Sequence, residues 1–385
     1  MPTYIAPGVY IEEILSGIHP IEGVSTSTAA FIGGAARGST DAAVDVRSVS
    51  DFVCEFGPID AGGVLGTAVR QFFDNGGTEA WVVRLADDSG AVLTPDTEPF
   101  ERQLIPASGR GGVFHLDRVP IVNLLCVPGV TTPGVIAALE AFCLARRIFL
   151  IADGPPRGAA APDPCVTGDA ARNAAMYVPW LTVVDPATGA TRSFPPGGFV
   201  AGVYARTDQT RGVWKAPAGL GATLSGATGV TDTLTEDDML ALTEHGVNAI
   251  RRVSGPGLVV WGSRTLAGAS GSGSEWRYVP VRRLALFVEG SLSRSLTWAQ
   301  FEPNAPSLWA RIRLTVNTFM MGLFRAGAFV GATPTSCYYV KCGDDTTTQN
   351  DLDHGVLTLE VGFAPVRPAE FVVLRIPLRA ESKPL

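Results

Sequence analysis

The sequence is poor in the residue patterns that enzymes use. It has four histidines, and no two of them stand at the spacing of a metal-binding pair. None of the three lysines follows the glycine spacing of a phosphate-binding loop, and no Gly-x-Ser-x-Gly nucleophile elbow occurs. The aspartates at 344, 345, 351 and 353 lack the glycine and terminal glutamate of an EF-hand loop, so a solvated turn explains them better. We therefore predict no catalytic, cofactor-binding or metal-binding residue, and no enzyme.

Charge is also scarce. Charged residues make up 17% of the 385 residues, below the roughly 25% of average soluble domains. A large core explains this scarcity, and so does a surface covered by partners. The formal net charge is -7 and no basic stretch occurs, so we expect no nucleic-acid partner.

Long apolar runs and cysteine motifs are absent too. No run approaches the roughly 20 apolar residues of a membrane-spanning helix, so we expect no membrane partner. The opening residues lack the basic and apolar regions of a signal peptide. The six cysteines are scattered without a CxxC pair, which is typical of a reducing compartment. These features predict folding in the cytoplasm.

The remaining pattern is a mixture of strands and helices. Apolar segments predict strands at 28–33, 80–85, 121–127, 148–152, 180–184, 258–261, 337–342 and 356–363. Helical periodicity predicts helices at 64–74 and 133–147, another one capped by Thr235, and two long helices between residues 280 and 325. The order strand, helix, strand over 121–152 predicts parallel strands, and 180–184 continues that pattern. Segments 87–118 and 185–233 are predicted to be irregular. The fold class is therefore mixed α/β.

The second long helix has a clear apolar stripe. Asn304 is predicted to cap it and Pro306 to lie in its first turn. Arg311, Arg313 and Arg325 lie off the apolar stripe, which consists of Leu308, Ile312, Val316, Phe319, Met320 and Leu323.

Each end of the chain carries an isolated strand pattern. The residues concerned are Val9, Tyr10, Ile11 and Ile14 at the start, and Phe371, Val372, Val373, Leu374 and Ile376 near the end. Neither segment has a neighbouring strand with which to form a hairpin, so each must pair with a distant segment or with another chain. The linker 16–27, with Gly17 and Gly23, is predicted to act as a hinge.

Several segments resemble the phage tail sheath family. The most specific is Pro-Pro-Gly-Gly-Phe-Val-Ala-Gly-Val-Tyr-Ala-Arg-Thr-Asp at 195–208, which continues as Arg-Gly-Val-Trp-Lys-Ala-Pro-Ala at 211–218. It departs from the family pattern at Gly198 and Gly219. Further similarity lies at 7–13, 246–251, 260–265, 276–279, 282–283, 301–304 and 364–371. Because these segments follow one order from end to end, the resemblance covers most of the chain.

The resemblance implies a particular domain organisation. A discontinuous core domain would consist of 26–90 and 255–368, and a middle α/β domain at 91–254 would lie outside it. Residues 1–25 and 369–385 would be arms that exchange strands between subunits.

The resemblance also implies the function of a sheath subunit. Such subunits form hexameric rings that stack helically around an inner tube protein, together with baseplate and terminal cap proteins, and contract to drive the tube through a target envelope. The particle would assemble in the bacterial cytoplasm and belong to a phage tail or a released phage-tail-like particle. Arg311, Arg313 and Arg325 are then candidates for facing the tube, while pairing within the subunit or with a neighbouring sheath subunit is at least as good an explanation. Two alternatives stay open, another lattice component such as a cap or tube subunit, and an α/β enzyme with an unrecognised site.

Overall fold

The structure is a computed structural model, and it describes residues 19–59, 63–87, 89–156, 169–184, 189–269 and 272–370. The chain forms two compact units. The large unit comprises Val24–Gly290 and Pro365–Leu385, and the small unit comprises Met1–Gly23 and Ser291–Ala364. The predicted linking strands at both ends, together with Gly17, lie outside the described residues.

The large unit is built on an eight-stranded sheet in the order β11-β10-β6-β5-β4-β1-β3-β2. Six strands are parallel, and the two edge strands β2 and β11 pair antiparallel with their neighbours. Their bounds are β1 Ala29–Gly34, β2 Val44–Val46, β3 Ala80–Leu85, β4 Leu124–Cys126, β5 Phe149–Asp153, β6 Ala174–Val178, β10 Val247–Val253 and β11 Gly257–Val260. The central strands are short apolar runs because both of their faces are buried.

Helices cover both faces of this sheet. One buried cluster contains Phe31 and the apolar side chains of α1, α2 and α5, and the other contains Ile32 and those of α3, α4 and α6. Their bounds are α1 Val49–Phe56, α2 Leu65–Asp74, α3 Glu98–Leu104, α4 Pro133–Arg146, α5 Gly197–Arg211 and α6 Glu236–Glu244, followed by α7 Val279–Ser295. The predicted cap of α6 is confirmed, since Thr235 and Asp238 form a reciprocal capping box.

Two segments predicted to be irregular contain helices. The stretch 87–118 includes α3 and a 3-10 helix at Gly112–Arg118. The prediction of loops over 185–233 was wrong at α5, a buried helix of 15 residues. The prediction that 180–184 continues the parallel sheet was also wrong. Strand β7 (Leu181–Val184) pairs antiparallel with β8 (Thr191–Phe194) and β9 (Gly229–Val230) in a separate sheet.

The predicted boundaries at residues 91 and 254 fall inside the large unit, because its main sheet takes strands from both sides of each position. The division into a core and an outer domain stays a prediction about the assembled particle.

The small unit contains the long helix α8 (Pro306–Arg325), the short helices α9 (Pro334–Cys337) and α10 (Gln349–Asp353), and strands β12 (Tyr338–Lys341) and β13 (Glu360–Phe363). All of the predicted stripe of α8 is buried except Phe319, which is half-buried. Asn304 does not cap this helix. The N-cap is Ala305, and the Asn304 side chain accepts a hydrogen bond from Trp309 Nε1 at 2.7 Å and donates one to Val356 O at 3.1 Å. Within the described ranges, no helix has both the length and the apolar character to cross a membrane.

Candidate functional site

The strand order of the large unit identifies where a ligand would bind in such a fold. The chain runs from β1 to β3 on one side and then to β4 on the other, so the sheet is doubly wound and its direction reverses between β1 and β4. Ligands of doubly wound proteins lie outside the carboxyl ends of the strands at this reversal, where helix N-termini present free backbone N–H groups. This crevice is the first candidate site.

The protein's own side chains occupy the crevice. Asp96 lies at the start of α4, where its carboxylate accepts hydrogen bonds from the backbone N–H groups of Thr131 at 2.8 Å and Thr132 at 3.1 Å, and from both threonine hydroxyls. A Cβ atom at Gly34 would lie 2.7 Å from Leu93 O, so the chain after β3 packs directly on the end of β1. The place that a ligand anion would take is therefore filled.

The start of α5 is occupied in the same way. Asp153, at the end of β5, accepts hydrogen bonds from Gly129 N at 2.9 Å and Gly197 N at 2.7 Å. Complete burial raises the pKa of this carboxyl group to about 7, and the two N–H groups act against that shift. Asp153 thus ties the first turn of α5 to the loop that precedes α4, and its role is structural.

The most specific sequence motif forms α5 and serves packing. Gly198 and Gly202 lie one turn apart against α2, where a Cβ atom would meet Ala68 O at 2.4 Å and Phe72 O at 2.6 Å. Asp208 receives two hydrogen bonds from Arg283, at 2.9 and 2.6 Å, with 3% of each side chain exposed. The resemblance singled out this segment, and its glycines were expected to set the shape of the backbone, but the ion pair of Asp208 with Arg283 could not be predicted from the sequence.

The small unit presents a different kind of site. Its sheet consists of β12 and β13 alone, so among the described residues the ladder ends at β12 on one side and at β13 on the other. Tyr339 is 47% exposed, and its ring covers Gly362, where a Cβ atom would lie 2.3 Å from it. Its hydroxyl donates to Glu360 Oε1 at 2.6 Å. An unpaired edge of this kind can accept a further strand.

The described chain next to each terminal segment is fastened to the protein. In the small unit, His19 stacks on Trp298 with ring centroids 4.9 Å apart, and Pro20 and Ile21 lie in an apolar groove with Phe319 and other residues of α8. In the large unit, Glu370 pairs with Arg264. Gly23, predicted as a hinge residue, is exposed and immediately precedes the boundary between the compact units.

The three candidate tube-facing arginines do not share one side of α8. Arg311 pairs with Glu302 at 2.9 Å and lies over the Trp298 ring, whereas Arg313 donates to Cys342 O. At roughly 100° per residue, these two arginines point about 160° apart around the helix. Arg325 is exposed and lies about 40° from Arg311. Facing the tube stays a prediction for all three.

Within the ranges that the structure describes, no group of three or more His, Cys, Asp or Glu side chains is arranged to hold a metal ion. A groove of about 700 Å³ lies in the large unit, lined by Trp214, Leu240 and Trp261 among others. Its exposed apolar side chains are more typical of a contact surface than of a reaction site.

Comparison with known proteins identifies the family. The model of the phage tail sheath protein central domain matches residues 121–266, and that of the phage tail sheath C-terminal domain matches residues 272–379. The chain belongs to the phage tail sheath family. It is a sheath subunit of a phage tail or contractile injection system, a structural protein, and the fold is that of sheath proteins.

The chain is also similar to individual proteins that are described as sheath proteins. A protein described as a prophage major tail sheath protein of Pseudomonas aeruginosa (strain UCBPP-PA14) is 25% identical over 253 residues, which are 64% of this chain and 62% of that relative. The sheath complex of the extracellular contractile injection system PVC, in its contracted state, is 29% identical with a TM-score of 0.78 and covers 99% of each chain. The helical sheath of the anti-feeding prophage, also contracted, is 31% identical with a TM-score of 0.77 and covers 97% of this chain and 99% of its own.

Proposed function

We propose that this subunit polymerises into hexameric rings that stack helically around an inner tube, and that the sheath contracts to drive the tube through a target envelope. The observation that carries this proposal is the similarity of almost the whole chain to two sheaths in the contracted state, at 97% and 99% coverage. The filled crevice of the large unit supports a structural rather than an enzymatic role.

The terminal arms link the subunits. Val9 to Ile14 of one copy and Phe371 to Ile376 of another add strands to the β12–β13 sheet of a neighbour. A two-stranded sheet has marginal stability, and added strands satisfy backbone groups on both of its edges. A head-to-tail contact whose rotation does not close on itself then produces a helical filament.

The remaining partners follow from this role. The sheath encloses an inner tube protein and meets baseplate and cap proteins at its ends, and one of the similar solved structures is a baseplate of the anti-feeding prophage. Assembly takes place in the bacterial cytoplasm, and the particle then functions as a phage tail or a released injection particle. Contraction releases free energy stored in a metastable lattice, with subunits rotating as nearly rigid bodies.

Electron microscopy of the purified protein tests the function. Striated tubules are the expected result, and a dispersed monomer at high concentration would contradict polymerisation. A variant that lacks residues 1–17 tests the arms. Because it keeps His19, Pro20 and Ile21 on the small unit, it should stay folded and yet form no long tubules. A start at Thr26 is a poorer test, since it would expose the groove on α8. Normal tubules from the shorter deletion would contradict the linking role of the N-terminal arm.

A further inference from the structure

An ion pair holds the first residues of the predicted C-terminal arm, immediately before the predicted linking strand at 371–376. The Glu370 carboxylate accepts hydrogen bonds from Arg264 Nε at 2.9 Å and Nη2 at 2.6 Å, and from the Tyr278 hydroxyl at 3.3 Å. The Arg264 side chain is 7% exposed and that of Glu370 is 21% exposed. A planar, two-bonded pair that is largely shielded from water is among the stronger side-chain contacts in proteins.

Arg264 is itself firmly held in the large unit. Its Nη1 donates to Thr243 O at 2.8 Å, and its backbone N–H donates to Asn248 Oδ1 at 2.7 Å. The Asn248 side chain in turn donates to Arg264 O at 2.8 Å and to Met176 O at 3.1 Å, which connects the arginine to β10 and β6. The hydrogen bonds with Glu370 raise the pKa of the arginine above its usual value. Glu370 is therefore bound to an arginine that the main sheet keeps in place.

Glu370 lies in the chain between strand β13 of the small unit and residues 371–385. Strand β13 ends at Phe363 in the small unit, and the chain returns to the large unit at Pro365. Val366, Pro368 and Ala369 then line the groove beside Trp261, and residues 371–385 follow Glu370 directly. Among the described residues, the Arg264–Glu370 pair is the side-chain attachment nearest in sequence to residues 371–385, and it comes before β13 for a force that enters through them.

We propose that the Arg264–Glu370 pair anchors the C-terminal arm to the main sheet of the large unit. The arm itself binds the β12–β13 sheet of a second copy of this chain. Strain from that neighbour then reaches the sheet through Arg264 and does not peel β13 from β12. This inference rests on the proposed role of the arm in linking subunits.

The substitution Glu370→Gln in the full-length protein tests the anchor. The matched control is Glu289→Gln, because Glu289 also pairs with a buried arginine, Arg282, whose side chain is 4% exposed. We expect Glu370→Gln to raise the critical concentration for sheath assembly roughly tenfold and to speed hydrogen exchange at residues 365–370, since losing a bond to a charged group weakens the attachment. Tyr278→Phe, which removes the longest of the three bonds, should raise the critical concentration by roughly twofold.

An unchanged critical concentration in Glu370→Gln would overturn the anchor, and so would an equal rise in the Glu289→Gln control. If Glu370→Gln does not fold, the milder Tyr278→Phe decides, because unchanged exchange at residues 365–370 in that variant also contradicts the proposal. A chain that ends at Glu370 distinguishes the linking role of the arm from the role of the anchor. Normal assembly of that truncated chain would refute the linking role of the arm, whereas a loss of assembly there with a normal Glu370→Gln variant would refute the anchor alone.

Discussion

The large and small units differ in how far other parts of the chain cover the edges of their sheets. In the large unit, the outer side of β11 is covered by the preceding chain, with Leu224 N–H donating to Leu258 O at 2.9 Å and Val260 N–H donating to Ala222 O at 3.0 Å. In the small unit, the sheet consists of β12 and β13 alone among the described residues, with Val330 N–H donating to Ala364 O at 2.9 Å just beyond β13, and Leu314, Val330 and Tyr339 are about half exposed. The β11 edge of the large unit is thus covered by its own chain, whereas the small unit has sheet edges and exposed apolar side chains of the kind that an assembly uses.

The two units also contain ion pairs that differ in their exposure to water. The pair of Arg283 and Asp208 in the large unit is buried, and Arg283 also donates to Thr26 O at 2.7 Å. The pair of Arg311 and Glu302 in the small unit is about 40% exposed on both sides. Water screens the exposed pair, whereas removing one partner of a buried pair leaves a charge without compensation. The large unit should therefore be sensitive to a charge change at Asp208, and the small unit tolerant of one at Glu302.

The largest expected effect follows from this contrast. Asp208→Asn should lower the free energy of unfolding by about 3–5 kcal/mol, because Arg283 would remain buried without its carboxylate. Glu302→Gln, the matched change in the small unit, should cost less than about 1 kcal/mol. Urea unfolding of the two purified variants measures both values. Similar losses in the two variants would contradict the difference between the units.

A second effect concerns pH and lies in the large unit. Glu140 on α4 is fully buried, and neither of its carboxyl oxygens has a hydrogen-bond partner among the described residues. Burial raises the pKa of this group from 4.5 to about 8. The folded state therefore keeps a proton that the unfolded state loses between these values, and stability falls as pH rises through this range.

Glu140→Leu should remove that pH dependence. The variant should gain on the order of 1–3 kcal/mol at pH 8, where the wild-type protein buries a carboxyl group without partners, and less at pH 5. Thermal unfolding across pH measures the gain. Glu98→Leu, at an exposed position of α3, is the control and should keep the wild-type slope. A constant difference between Glu140→Leu and wild type at every pH would show that packing rather than protonation is responsible.

The main strands were predictable where apolar runs are uninterrupted. Segments 80–85 and 148–152 lie within one residue of β3 and β5, because a strand buried on both faces needs only a short apolar run. Strand β6 escaped prediction since Ala174 and Ala175 give it little β propensity, and its pairing with β5 and β10 stabilises it instead.

Helix α5 escaped prediction for a related reason. Two prolines and four glycines between 195 and 212 indicate a loop by intrinsic preference. In the folded protein, Gly198 and Gly202 allow α5 to approach the backbone of α2 more closely than any side chain would permit. The close packing and the Asp153 contact at Gly197 N outweigh the low helix propensity. The carboxyl groups that fill the crevice were equally hidden, because Asp96 and Asp153 meet their partners only through the topology.

A smaller effect should appear at the surface of α8. Charge reversal at Arg311 should weaken co-assembly with the inner tube by roughly 0.2–1 kcal/mol, because the side chain is exposed and screened. Arg313→Glu should instead affect the small unit itself, since Arg313 donates to Cys342 O. Co-sedimentation with the tube protein at low and moderate salt measures the first effect, and thermal unfolding measures the second. Unchanged co-sedimentation of the Arg311 variant at both salt concentrations would remove this side of the helix from the tube interface.

The smallest effect on the folded subunit is expected from lengthening the linker at Gly23. His19 is held by Trp298 on the small unit, and Thr26 O accepts a hydrogen bond from Arg283 in the large unit at 2.7 Å. Only a few residues lie between these two attachments, so a pull on the N-terminal arm is transmitted with little slack. Inserting a few Gly/Ser residues after Glu22 should cost little stability, about 0.6 kcal/mol per doubling of loop length.

The same insertion should nevertheless impair contraction. With a longer linker, a movement of the N-terminal arm would no longer be transmitted directly to the large unit. We expect extended sheaths that assemble normally but contract in a smaller fraction of particles after an acid or denaturant pulse. An equal insertion after Gly273, in an exposed turn within the large unit, is the control and should contract like wild type. If the Glu22 insertion contracts as fully as this control, the signal does not pass through the linker. The coupling between neighbouring subunits would then have to be sought in contacts between their helices or in the Arg264–Glu370 anchor.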